Sequence, residues 1–327
     1  MNLNNKTVLI TGANGLVGMP TIIKCLEKNV SKVIAVDKNI NNLLTFKDHD
    51  KVKIVQTDLT YLDQCELLFK NDKIDIVFHL AGIKGSPSRT ANFPADYMLP
   101  MLMFNTNMIK ASFEANVDWF VYMSSVGVYA PADVMHEDSV WNTMPSKNDW
   151  HPGWAKRIGE LTLDSLKIQY NWKNWSVIRP SNIYGLYDNF SENATVIAAN
   201  TWKVFNTTSD KIICWGDGSA KRDFVFSEDV AQSVIDVTEK EVNDVINFGS
   251  ANAVTIKETI ETIVKNYQTI TDISLKIEWD SSKPNGDLLR CLGSKKQEHY
   301  GILPKTSLNN GIMKTLTHYK QFRKHHE

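Results

Sequence analysis

Through its first half the chain alternates short apolar runs with stretches of helical spacing. Thr7-Val8-Leu9-Ile10 stops at Thr11-Gly12, and a helical stretch follows from about Met19 to Lys28. Further apolar runs cover Lys32 to Val36, ending at Asp37, Val52 to Val55, ending near Asp58, Ile74 to Leu80, Trp119 to Met123 and Ser176 to Ile178. Short apolar runs bounded by turn residues and separated by helical segments predict strands buried on both faces of a parallel sheet. Right-handed crossovers close such strands into a doubly wound α/β fold. After Pro180 the pattern loosens, and Gly, Asn, Asp and Ser are frequent up to Asp223. Phe224-Val225-Phe226 and Val245 to Phe248 predict strands returning to the main sheet, and Thr255 to Tyr267 and Ser307 to Lys320 predict helices. The expected division is a larger domain of residues 1–181 and 224–249 and a smaller C-terminal lobe of 182–223 and 250–327.

Composition narrows the classes. With 327 residues, 43% of them hydrophobic and 22% charged, the chain is long enough to bury a core without disulfides and too apolar to be disordered. Its 36 basic and 37 acidic residues balance, so neither a nucleic-acid partner nor a membrane surface is expected. Cys25, Cys65, Cys214 and Cys291 lie far apart with no zinc spacing, which predicts no metal site and fits a reducing cytoplasm. No signal peptide is visible from Met1 to Lys6, and no apolar stretch reaches the length of a membrane span.

The strongest local motif is Thr11-Gly12-Ala13-Asn14-Gly15-Leu16-Val17-Gly18, between the first strand and the first helix. Gly12, Gly15 and Gly18 allow a tight turn, close approach of backbone to a pyrophosphate and close helix–strand packing. The helix N-terminus behind them offers free N–H groups to phosphates. This strand–turn–helix arrangement predicts a Rossmann-like dinucleotide site, its contacts made by Gly12, Asn14, Gly15, Leu16, Val17 and Gly18. Asp37, ending the second strand, suits the two ribose hydroxyls of NAD and repels a 2′-phosphate, so NAD is expected rather than NADP. Lys38 beside it is in a position to soften that repulsion. Asp58-Leu59 ends the third strand, where a carboxylate reaches the adenine amino group or is simply solvated. Leu80-Ala81-Gly82 lets the cofactor pass close to the backbone, and His79 before it reads as a packed core histidine.

Taken with the later His79-Leu80-Ala81-Gly82 and Ser124-Ser125-Val126-Gly127-Val128-Tyr129, the TGxxGxxG spacing resembles extended short-chain dehydrogenases/reductases of the NAD-dependent epimerase/dehydratase family, which act on nucleotide sugars. Within that family the chain is most similar to the GDP-L-fucose synthase-like branch. Phe93-Pro94-Ala95-Asp96, Asn105 to Ala111, Tyr184 to Phe190, Trp215-Gly216-Asp217-Gly218 through Phe224, and Lys283-Pro284-Asn285-Gly286 carry this likeness, which extends over essentially the whole chain. The resemblance implies a substrate-binding C-terminal lobe, a nucleotide-diphosphate-sugar substrate and a homodimer formed through two helices, one in the Met98, Met101, Met103, Met108 stretch and one after Lys156. It implies Ser125 as the serine bonded to the reacting sugar oxygen, with Ser124 the neighbouring candidate, also placed at the cofactor. Lys156 is implied as the lysine on the nicotinamide ribose, and Asn107 as a structural or active-site asparagine. Asn182, Arg222 and Arg290 are implied at the substrate diphosphate, with Lys84, Val196, Trp202 and Trp215 completing the substrate site.

One departure bears on chemistry. The family pattern Tyr-x-x-x-Lys puts both side chains on one helix face, but the residue four before Lys156 is Pro152, which has no proton to transfer. Three readings follow: His151, or another group such as Tyr129, moves the proton; the reaction does without this tyrosine; or the chain binds ligand and has lost most activity. His151, before a proline, is expected to be extended at a helix start. Val126-Gly127 lacks the cysteine of fucose synthases and the Asp-Glu pair of 4,6-dehydratases, and Ser191-Glu192 replaces a fucose-synthase histidine. Trp202 stands where that branch has an arginine. The expected activity is epimerisation through a transient 4-keto sugar, with a 4-reductase or 4-dehydrogenase, or a non-catalytic nucleotide-sugar binder, as alternatives.

Overall fold

The computed structural model describes residues 1–85, 87–283 and 286–324, with the side chains of Pro87, Ser88 and Lys324 left aside. Seven strands form one parallel sheet: β1 (Thr7–Thr11), β2 (Lys32–Asp37), β3 (Val52–Gln56), β4 (Ile76–His79), β5 (Trp119–Met123), β6 (Trp175–Pro180) and, after three strands of a second layer, β10 (Val245–Phe248). Their order is β10-β6-β5-β4-β1-β2-β3, so the chain direction across the sheet reverses between β1 and β4. Ligands of open α/β sheets bind outside the carboxyl ends of strands at such a switch point. The strands are apolar because both faces are covered. Val8, Ile10, Val33, Ala35, Ile76 and Phe78 face one core, and Leu9, Ile34, Val36, Val77, Phe120 and Tyr122 face another.

The helices covering the sheet include α1 (Gly18–Glu27) and α2 (Leu62–Asn71), and, after the short α3 (Pro87–Asn92), which packs beside the next helix, α4 (Pro94–Glu114) and α5 (Trp150–Tyr170). α4 turns Tyr97, Met101, Phe104 and Met108 inward and leaves Leu99 and Met103 exposed. α5 ends at Asn171, whose left-handed φ of 56° terminates the helix.

The remaining strands are β7 (Asn182–Tyr184), β8 (Lys211–Trp215), β9 (Lys221–Phe226), β11 (Ala253–Thr255), β12 (Lys276–Asp280) and β13 (Leu289–Arg290). They build a four-stranded sheet around β9 and a β12-β8 pair. With α6 (Val196–Asn206), α8 (Ile256–Thr271) and α10 (Leu308–Lys324) they enclose a third core of Phe224, Phe226, Ile260, Ile263, Ile312 and Leu316. α7 (Ser227–Glu239) packs on the first core, and α9 (Lys295–His299) sits near β10.

β10 joins the main sheet beside β6, as expected. The expectation that Phe224-Val225-Phe226 also returns there is corrected: β9 pairs with β7, β11 and β13 instead. The physical reason is the period of two along a strand. Val225 points into the first core while Phe224 and Phe226 point into the third, so β9 lies between the layers and contributes to both.

Candidate nucleotide-sugar site

The glycine turn between β1 and α1 is tight by construction. Gly12 has φ +65°, and a Cβ there would stand 2.8 Å from the Ala81 backbone. A Cβ on Gly18 would stand 2.2 Å from the Gly12 carbonyl oxygen, so helix and strand meet backbone to backbone. α1 has no acidic residue in its first turn and no side-chain cap, which leaves its positive end open to an anion. Asn14 Oδ1 accepts from the Asn42 and Leu43 amides, and its own amide donates to Asp37 Oδ2 at 3.1 Å. Asp37 thereby closes on the turn from the end of β2; burial raises its proton affinity, and the Asn39, Asn14 and Lys38 amides oppose that. Leu16 and Leu80 pack on the first core, and Val17 and Leu59 are buried.

Lys38 reaches Asp58 Oδ2 at 2.8 Å, so its ammonium is engaged by that carboxylate. The other Asp58 oxygen takes the Thr60 amide and hydroxyl. Asn107 is structural: its Nδ2 donates to the carbonyls of Leu59 and Thr60 and fixes the loop after β3. His79 is fully buried between Thr11 Oγ1 and Asn105 Oδ1, at 2.8 and 3.0 Å, and burial pushes it down to about 3, so it stays neutral.

Lys156, nearly two turns into α5, points back under the sheet edge. Its Nζ donates to the carbonyls of Ala81 (3.2 Å) and Met123 (2.7 Å). Burial lowers its pKa to about 7, with Glu160 opposing. Gly82 leaves room above it: a Cβ there would be 3.8 Å from Lys156 Nζ. Ser125 follows β5, and its Oγ accepts the Gly127 amide at 3.0 Å, which leaves its O–H proton for another partner. Ser124 faces inward and donates to Glu160 Oε1 at 2.5 Å. Glu160 in turn holds Arg179 through both oxygens, a pair only 1–2% exposed.

Tyr129 does not stand in for the absent tyrosine. Its O–H donates to Asn247 Oδ1 at 2.6 Å and accepts from Arg179, it is 1% exposed, and burial pushes its phenol far up. His151 is helical rather than extended, because Pro152 falls in the first turn of α5, where a missing N–H costs nothing. His151 is half-buried and has no hydrogen bond or ion pair among the described residues.

A cavity of about 330 Å³ lies between the carboxyl edge of the sheet and the C-terminal lobe. Of the residues proposed for the substrate, Lys84, Asn182, Val196, Trp215, Arg222 and Arg290 line it. Trp202 does not: α6 turns Val196, Ala199, Asn200 and Lys203 to the cavity and Trp202 off that face. Lys84 is clamped by both oxygens of Asp188, and Asn182 Nδ2 donates to the Asp223 carbonyl. Pro284 and Asn285 lie outside the described residues.

Electrostatically the cavity is defined by two guanidiniums. Arg290 sits between Asp149 and Asp287, donating to Asp287 Oδ2 from Nε (2.9 Å) and Nη2 (2.5 Å) and pairing with Asp149 through Nη2. Burial works against its charge, and these two carboxylates outweigh burial and raise its pKa. Asp287 also accepts from Asn148 and Ser146. Arg222 has no carboxylate ion pair among the described residues; burial, then the neighbouring Arg290, lower it to about 10. Asn148, Asp149 and Asp287 were not foreseen from the sequence. They meet Arg290 only because the segment before α5 and the loop before β13 fold against each other, and no local pattern announces that.

A sequence profile of the NAD dependent epimerase/dehydratase family matches residues 8–249. The chain is 26% identical to GDP-L-fucose synthase 1 of Arabidopsis thaliana over 98% of its own length and 94% of that protein's. Its fold superposes on the UDP-glucose 4-epimerase of Thermotoga maritima solved with UDP-glucose, at 23% identity and a TM-score of 0.82, covering 97% of this chain and 99% of that one. It also superposes on a GDP-L-fucose synthetase of Naegleria fowleri bound to NADP, at 17% identity and a TM-score of 0.80, covering 98% and 96%. With its glycine turn, parallel sheet and two-lobed cavity, the chain belongs to the NAD-dependent epimerase/dehydratase family of nucleotide-sugar enzymes.

Proposed function

We propose that this chain is an NAD-dependent epimerase of a nucleotide-diphosphate sugar, working through a transient 4-keto intermediate. The observation that carries the reading is the pair Arg222 and Arg290 on one wall of a cavity at the sheet's carboxyl edge. Arg222 has no carboxylate ion pair among the described residues, and Arg290 beside it has carboxylate partners that phosphate oxygens can replace, so the pair suits an anionic ligand that guanidiniums bind in a bidentate way. Ser125 and Lys156 stand at the same edge, with Ser125's hydroxyl proton uncommitted and Lys156 beneath the path left by Gly82. NAD, when bound, supplies hydride transfer; the chain's part is to orient the sugar and manage one proton. Asp37 at the end of β2 supports NAD over NADP. Gly12, Asn14, Gly15, Leu16, Val17, Gly18, Asp58, Leu59, Leu80, Ala81, Gly82 and the Ser124 backbone complete the proposed cofactor site. His151 remains the candidate proton carrier read from sequence.

The test uses protein as purified. Released nucleotide is identified by mass spectrometry after denaturation, and UDP-, GDP- and dTDP-hexoses are added to intact protein while the 340 nm band is read. Retained NAD and a sugar-dependent band, with interconversion of C4 epimers, is the expected result. Bound nucleotide with no redox change for any sugar would favour the second reading, a nucleotide-sugar-binding protein on this scaffold, which Pro152 specifically supports. We also propose a homodimer in the cytoplasm.

A further inference from the structure

The space above Gly127 is bordered by two groups from different elements. A Cβ built on Gly127 would lie 3.4 Å from Ser125 Oγ and 3.3 Å from both Cβ and Cγ of Asp149. Ser125 Oγ and Asp149 Cγ are therefore at most 3.4 plus 3.3, or 6.7 Å, apart. That bound is within the span one sugar hydroxyl can bridge with two hydrogen bonds of about 2.6–3.2 Å each. Asp149 is held there by position: it is the residue on which α5 starts, and that first turn packs so closely on the Gly127 carbonyl that only glycine fits at 153. Any side chain at 127 would press on Asp149 and Ser125 together, so the glycine is what lets the Asp149 side chain from α5 come this close to the serine.

We propose that Asp149 is the proton-transfer residue of this enzyme, paired with Ser125 across Gly127, and that Arg290 holds it inactive until a ligand diphosphate takes the guanidinium. The proposal rests on the nucleotide-sugar reading above. Arg290 is the only cation paired with Asp149 among the described residues, and it lines the cavity wall where the diphosphate is proposed to bind. Phosphate oxygens compete with carboxylates for a guanidinium. A carboxylate that loses its cation beside an arriving dianion becomes a better proton acceptor. With NAD bound, Asp149 would take the proton of the sugar hydroxyl as the hydride on the same carbon is removed, giving a ketone, and would return that proton to the oxygen when the hydride comes back on the other face. The charged and titratable groups around Asp149 are Arg290, Asp287, Arg222 and, two residues on, His151.

The experiment compares wild type, Asp149→Asn, Gly127→Ala and His151→Ala. UDP, GDP and dTDP binding is measured by calorimetry in buffers of different ionisation heat between pH 5 and 7, and turnover with the matching sugars by chromatographic separation of the C4 epimers, with the 340 nm band following the transient reduced cofactor. Wild type is expected to differ from Asp149→Asn by additional proton uptake on binding, beyond the protons the ligand phosphate itself exchanges. Asp149→Asn is expected to bind the diphosphate at least as tightly, to lose that uptake and to lose at least about 100-fold in kcat. Gly127→Ala, which fills the gap, is expected to lose turnover with diphosphate affinity retained. Turnover of Asp149→Asn within threefold of wild type, or loss in His151→Ala alone, overturns the assignment while leaving the nucleotide-sugar function standing. A wild type that binds no nucleoside diphosphate, or binds without reacting with any sugar, overturns that function and the assignment with it.

Discussion

At the scale of single residues, Lys156 is the most consequential group. It is buried, and its pKa is lowered to about 7 by that burial. Unfolded, it titrates near 10.5, so between pH 7 and 10.5 the unfolded chain binds more protons than the folded one. Stability from this group therefore rises as pH climbs through that window and is lost as pH falls back toward 7. Below 7 both states carry the proton and the full cost of burying a charge remains. Lys156→Met removes that cost along with two hydrogen bonds to carbonyls, each worth roughly 1–3 kcal/mol. A shift from 10.5 to about 7 corresponds to on the order of 5 kcal/mol, comparable to the two bonds together, so the two effects nearly offset at low pH and only the pH-dependent part separates them. Urea unfolding of nucleotide-free protein at pH 6.5 and 9.5 should show wild type gaining a few kcal/mol on Lys156→Met between the lower and the higher pH. An unchanged gap would mean that the ammonium is solvated. Residues of this kind were legible in part: GWAKRIGE marked Lys156, but nothing near it in sequence marked Asp149, whose role depends on a glycine in another segment.

Elements were legible where their physics is local. The seven strands of the main sheet read as apolar runs because both faces are covered, and the turn before α1 read as a nucleotide site because its glycines are adjacent in sequence. β7, β11 and β13, of two or three residues, carry no period, and β9 was misplaced because alternate residues serve two cores. The joint between α5 and the sheet was also invisible. It consists of Glu160 on α5 receiving Ser124 after β5 and gripping Arg179 on β6, with Arg179 continuing to Tyr129 and the Glu137 carbonyl. Because Arg179 is buried, removing its partner's charge leaves an uncompensated guanidinium, at a cost of about 3–5 kcal/mol. Glu160→Gln should lower the urea midpoint accordingly with an unchanged slope; a drop below about 1 kcal/mol would show that water or a neighbouring carbonyl already carries the charge.

For the whole molecule, α4 and α5 pack side by side on the sheet, and each has an apolar side facing solvent. Leu99 and Met103 on α4 are 59% and 46% exposed, and Leu161 and Ile168 on α5 are 52% and 78% exposed. The opposite side of α4 is spent on the core, where Met101 and Met108 are buried, so the methionine stretch divides between the two faces. Apolar side chains on one face of two adjacent helices are costly to leave in water, and two-fold pairing of the same patch covers both copies at once. The interface so formed includes the helix that carries Lys156 and starts at Asp149, so association would stiffen the site from behind. Light scattering at micromolar protein should give about twice 37.1 kDa for wild type. The double substitution Leu161→Glu and Ile168→Glu puts two carboxylates on each side of the two-fold and should give a 37.1 kDa species with unchanged far-ultraviolet dichroism. A wild type that already runs at the smaller mass would leave these side chains without a partner copy and remove the dimer from the reading.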